Sequence, residues 1–260
     1  MNPIIDVNVN LSRWPFRRLV GDDTSSLMKK LREKHVTQAW AGTFDGLLHK
    51  DISSANARLA KECREQGQGV LLPFGSINPK LPDWEEDLRR CHEEHKMRGI
   101  RLHPNYHGYK LDEPVFTKLL DSATQRGLIV QLAVLMEDKR TQHPLAEVAP
   151  VDLAPLPDLL KPFPKLKIVL LNSLQGLNGK LLLRLAGIGR IYFEIATLEG
   201  VGGIGKLIEQ IPASKILFGS HAPFFYFESA LLKVKESSLQ DSERNLILAE
   251  NARRLLDESF

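Results

Sequence analysis

The chain has 260 residues, with 35 Lys and Arg against 32 Asp and Glu, a formal charge of +3 at pH 7 and a hydrophobic share of 43%. Such values describe a globular protein with a sizeable core, and they exclude a nucleic-acid arm and a membrane span: the basic residues are interleaved with acids and no apolar run is long enough to cross a bilayer. What the mild positive balance leaves open is a small anionic ligand.

The two cysteines, Cys63 and Cys91, have no metal-ligand spacing and read as free thiols of a reducing compartment. No basic stretch followed by an apolar core opens the chain, so a cytoplasmic protein is expected.

Taken in order, short apolar runs rich in β-formers recur at Ile4–Val9, Val36–Phe44, Val70–Ile77, Gly99–His103, Leu128–Met136, Leu166–Leu171, Ile191–Ala196 and Lys215–Gly219. In the first run alternation puts Asp6, Asn8 and Asn10 on one side and Ile5, Val7 and Val9 on the other. Helical patterns lie between the runs. Asp22-Asp23-Thr24 caps one that reaches His35, and Asp51 or Ser53 opens one that stops at Gly67. Asp83 opens Trp84–Met97, and Pro114 sits in the first turn of a helix closed by Gly127. A last helix from Asp241 to about Glu258 sets Leu246, Ala249, Ala252, Leu255 and Leu256 on one face. Strands alternating with helices at this spacing predict a single (β/α)8 TIM barrel over residues 1–260, with a doubly wound open sheet as the alternative.

A barrel gathers its functional groups at the carboxyl ends of its strands. The groups brought there are Asn8 and Asn10, Asp45, Asn78, Arg101 with His103 and His107, the segment Glu137–His143, Asn172, Thr197 with Glu199, and His221. Arg101 and His103 leave strand 4 on one face. A guanidinium there is costly to bury unpaired, so it meets an anionic ligand or an acid such as Asp6 or Asp45. In the loop after strand 5, Glu137 or Asp138 can orient His143 for proton transfer while Arg140 steadies an oxyanion; internal ion pairing of the loop is the competing reading. His221 suits a general base, or a histidine satisfied by Ser220 or Asn172. The glycines of Gly200-Val201-Gly202-Gly203-Ile204-Gly205 allow a tight turn or a phosphate site. Trp14-Pro15-Phe16-Arg17-Arg18 and Phe224-Phe225-Tyr226-Phe227 follow strands that adjoin on closure, so both can wall one pocket for a small unsaturated or aromatic acid.

Several phrases resemble those of the amidohydrolase-related family (amidohydrolase family 2), barrel hydrolases and decarboxylases that include aminocarboxymuconate-semialdehyde decarboxylase-like enzymes. They are Asp6-Val7-Asn8-Val9-Asn10, Gly99-Ile100-Arg101-Leu102-His103-Pro104, Leu217-Phe218-Gly219-Ser220-His221-Ala222-Pro223-Phe224 and Glu250-Asn251-Ala252-Arg253-Arg254-Leu255-Leu256. The resemblance implies an amidohydrolase-like barrel that hydrolyses or decarboxylates a small carboxylated substrate. It also implies a divergent centre, because the family's metal-binding positions fall on Asn8, Asn10, Ala133, Asn172 and His221. Amides are poor ligands for transition metals, so no metal is expected at the usual place, with a divalent ion on a rearranged ligand set left open.

The expectation is therefore an enzyme with His221, His143, Glu137 and Asp138 as catalytic groups. Asn8, Asn10, Arg17, Arg101, His103, Arg140 and Asn172 would bind the carboxylate. The alternative is a catalytically degenerate barrel that binds or senses a small anion. A third use, as a homo-oligomer building block, predicts an occluded mouth with the arginines neutralised internally.

Overall fold

The computed structural model describes residues 3–177 and 179–257. An eight-stranded sheet runs in sequence order, β1 (Ile4–Leu11), β2 (Val36–Thr43), β3 (Leu71–Ser76), β4 (Gly99–Leu102), β5 (Ile129–Ala133), β6 (Lys167–Leu171), β7 (Ile191–Glu194) and β8 (Ile216–Leu217). Each neighbouring pair is parallel. Closure comes from the Val7 amide donating to Phe218 O (3.0 Å) and the Asn10 amide donating to Ala222 O (2.9 Å). This is the (β/α)8 barrel that the strand spacing predicts.

Helices form where the caps lie. The Asp23 carboxylate accepts from the Ser26 amide and starts Thr24–Glu33; Asp51 accepts from the Ser54 amide and starts Ile52–Gln66, which ends at Gly67. Trp84–Glu93 is shorter than the expected Trp84–Met97, and Pro114–Gln125 closes two residues before Gly127. The final helical stretch, from Asp241, changes to π geometry over Leu246–Glu250 and returns to α at Asn251–Asp257. The wider π turn rotates the buried face, so Ile247 and Leu248 are buried and Leu246 is only partly so. Glu258, the expected end of that helix, lies outside the described residues.

Two apolar layers follow from the strand period. Ile100, Leu102, Val130, Leu132, Ile168 and Leu170 pack outward against helix residues such as Phe116, Leu119 and Leu120. Ile5, Val7, Trp40, Phe74, Ile129, Ala133, Val169, Leu171 and Leu217 fill the interior. In β1 the expected alternation breaks. A register shift between Asp6 and Val9 puts Val7 in the interior cluster and Val9 in the outer one. A bulge inserts one residue and so reverses the parity of everything after it.

Among the described residues no helix is long and apolar enough to cross a membrane. Cys63 and Cys91 are buried free thiols, as expected from their spacing.

Candidate functional site at the barrel mouth

Arg101 is the side chain around which the barrel interior is arranged. It is 1% exposed, and among the described residues its hydrogen bonds go to neutral oxygens. Its Nε donates to Gln131 Oε1 (2.8 Å), Nη1 to Val9 O and Asn10 Oδ1 (both 2.9 Å), and Nη2 to Trp40 O (3.0 Å). Gly42 makes the space: a Cβ there would stand 2.6 Å from Nη1. Burial draws the guanidinium down to about 9, which leaves it charged at neutral pH, with Asp6 and Glu194 as the acids whose charge it feels. Of the two readings of a buried guanidinium, the salt bridge to Asp6 or Asp45 is not made among the described residues; neutral oxygens take its place. Asp45 pairs instead with Arg58 (3.0 Å).

A second buried network joins β1, β6, β7 and β8. Asp6 accepts from the backbone and hydroxyl of Ser220 and from the Asn8 amide, and burial raises its pKa to about 6. Asn8 Nδ2 donates to Asn172 Oδ1 (2.9 Å), and the Asn172 and Ala196 amides donate to Glu194 (2.6 and 3.1 Å). Burial pushes Glu194 up to about 7. His221 donates Nε2–H to Met136 O (2.7 Å), which leaves Nδ1 as the lone-pair nitrogen; burial lowers its pKa to about 4. Asn172 and His221 both hold φ near 55° (55° and 56°), a region that non-glycine residues seldom occupy and that here ends β6 and follows β8.

Aromatic rings cover the centre. Trp14 packs edge-on against Phe44 (5.3 Å), Tyr106 (6.3 Å) and Phe224 (5.0 Å), and Phe224 stacks on His221 (4.9 Å). The Trp14 and Phe224 segments thus form one wall. Arg17 pairs with Glu137 and lies 5.7 Å over Phe224.

Beneath this cover, in the quadrant of β1 to β4, several buried polar atoms have no partner: Asn10 Nδ2, Trp14 Nε1, Ser76 Oγ, both ring nitrogens of His103, and His107 Nδ1. Asn10 bonds the guanidinium, Ser76 is the register partner of Arg101 on β3, and His103 feels the Arg101 charge. Buried polar groups are almost always bonded to something, so this quadrant calls for a polar guest, water or ligand. Burial holds His103 well below the usual histidine range and lowers His107 as well.

The other sequence candidates lie at the rim. Asp138 binds Arg140 through two nitrogens (2.5 and 2.9 Å), and Glu199 stands 4.0 Å from the same guanidinium. His143 is exposed, and its Nδ1 accepts from the Leu145 amide (3.1 Å). Neither acid reaches His143: the loop holds its charges as ion pairs. A cleft of about 640 Å³ opens beside the centre, lined by Leu135, Glu137, Gln142, Ser173 and Gln175 among others. The sequence reading missed Glu194, Gln131, Phe44 and Tyr106. Glu194 and Gln131 carried a usable signal, since each interrupts an apolar β run.

A family model described as amidohydrolase matches residues 15–172. No curated protein matches the sequence. The fold is that of 5-carboxyvanillate decarboxylase from Sphingomonas paucimobilis (12% identity, all of both chains, TM-score 0.77). It is equally that of 2,6-dihydroxybenzoate decarboxylase from Rhizobium (15% identity, 98% of both chains, TM-score 0.75). A dihydroxybenzoic acid decarboxylase from Polaromonas, with bound manganese and the inhibitor 2-nitroresorcinol, is similar at 16% identity over 98% of this chain and 97% of that one (TM-score 0.73). At such identities these structures speak for the fold, while the family model spans more than half of the sequence; the chain belongs to the amidohydrolase family.

Proposed function

We propose that this barrel takes a small aromatic carboxylate beneath its aromatic cover and cleaves it by decarboxylation. The observation that carries this is the set of unpartnered buried groups that follow β1 and β4: Asn10 Nδ2 and Trp14 Nε1 can only donate, and His103 offers a donor and an acceptor. Donors over a fixed positive charge select an anion, and the surrounding rings select a flat, unsaturated body. The similar structures, a 2,6-dihydroxybenzoate decarboxylase and a 5-carboxyvanillate decarboxylase, support the same class of compound.

A carboxylate stripped of water among aromatic rings is closer to releasing carbon dioxide than one in bulk solvent. His221 and His103, both kept neutral by burial, are the groups placed to move a proton. Arg17, Glu137, Asp138 and Arg140 serve at the rim, where their ion pairs tie the Trp14 segment and the loop after β5 over the chamber.

The residues at the centre do not fit the manganese held by the Polaromonas structure. The β1 and β6 donors are amides, the described residues contain no group of three or more His, Cys, Asp or Glu suited to a metal, and Asn10 Oδ1 already accepts from a guanidinium.

One observation favours a second reading, that of a binding protein: Arg101, Arg17 and Arg140 already have internal partners and His221 is fully covered. A panel of hydroxybenzoates and related acids separates the two. Binding is followed by Trp14-dependent fluorescence, turnover by chromatography of the decarboxylated product. Binding with turnover, both lost in Asn10→Ala and His103→Ala, supports the enzyme. Binding alone supports the second reading, and no binding at millimolar concentration refutes both.

A further inference from the structure

We propose that the guanidinium of Arg101 stands in for a resident metal cation in this barrel, gathering oxygens of β1, β2 and β5 and setting the positive charge beneath the mouth. A metal at such a place does two things: it draws donors from strands distant in sequence to one point, and it fixes a charge no substrate can displace. Arg101 does both through a covalent tether. Its acceptors lie 92, 91, 61 and 30 residues away, on Val9, Asn10, Trp40 and Gln131.

The chemistry of the acceptors agrees. They are amide and backbone oxygens, weak ligands for a transition metal and strong acceptors for charged N–H groups. Four of the five guanidinium N–H groups are used in these bonds. A divalent ion bound to Asn10 Oδ1 would therefore lie against an existing cation. The backbone is also shaped for the arginine, since Gly42 leaves only the room that Nη1, Cδ and Cζ fill. A lysine would carry the charge but not the fork that reaches several strands at once.

The test needs no substrate, so it stands or falls apart from the ligand reading above. Full-length protein is purified without chelators from cells grown with added manganese and zinc, then examined by elemental analysis and thermal melting. The expected result is no stoichiometric metal and a melting temperature unchanged by EDTA. Arg101→Ala melts lower by on the order of 10 °C, and millimolar n-propylguanidinium raises it again whereas n-propylammonium does not. Should Arg101→Ala fail to fold, Arg101→Lys takes its place, with a smaller fall in melting temperature, and the wild-type metal content decides by itself. One chelatable metal per chain whose removal lowers melting would overturn the proposal. So would an Arg101→Ala protein as stable as wild type.

Discussion

Gly42→Ala probes the centre of the barrel with a single methyl group. The added Cβ would lie 2.6 Å from Arg101 Nη1 and 2.9 Å from both Cδ and Cζ, well inside contact distance. The guanidinium cannot yield freely, because bonds to four acceptors hold it and it is 1% exposed. Overpacking a well-filled interior costs ~1–3 kcal/mol, and a shift that breaks the bonds to Val9 O and Asn10 Oδ1 adds ~1–3 kcal/mol for each buried acceptor left bare. A loss of about 4 kcal/mol is expected, or roughly 1.5 M in the urea midpoint at a slope of ~2.5 kcal/mol/M. Gly205→Ala is the matched control. It lies in Gly203–Ile208, its nearest atom to a new Cβ is 4.0 Å away, and it should gain ~0.5–1 kcal/mol from helix propensity. The same chemical change thus has opposite signs at the two sites. A Gly42→Ala midpoint within about 0.2 M of wild type would refute the placement of the guanidinium against β2.

Three further outcomes follow from the site. His221, lowered to about 4, binds its proton more weakly folded than unfolded, so its share of stability is present above pH 6.5 and is lost as pH falls toward 4. Imidazole NMR should show its ring neutral throughout pH 5–8, and a midpoint near 6.5 would contradict its burial. A double-mutant cycle on Arg17→Ala and Glu137→Ala should give a coupling of ~1 kcal/mol, with easier acrylamide quenching of Trp14 in each variant; zero coupling would mean the rim pair closes nothing. Arg140→Ala, at a side chain 79% exposed, should change stability by less than ~0.5 kcal/mol despite its short bonds to Asp138, as a urea melt would report.

The strand spacing, the helix caps at Asp23 and Asp51 and the placement of polar residues at strand ends were legible in the linear chain, because each depends on neighbours a few residues away. Period-2 runs make strands, and Asp three residues before a free amide makes a cap, whatever lies elsewhere. The resemblance in the Asp6–Asn10 and Gly99–Pro104 phrases led to the right family for the same reason: short motifs are local. Partner choice was not legible. Nothing in the linear chain tells that the Arg101 guanidinium takes the carbonyls of Val9 and Trp40 and the side-chain amide oxygens of Asn10 and Gln131. For Glu137 and Asp138 the sequence leaves two readings open, orientation of His143 or ion pairing, and the folded loop pairs them with Arg17 and Arg140. The register shift in β1 changed which side chains face inward. Such outcomes depend on which atoms from distant segments arrive within about 3 Å of each other, and on how burial reprices a charge once water is gone. Composition and periodicity carry neither quantity; only the closed barrel brings both into being.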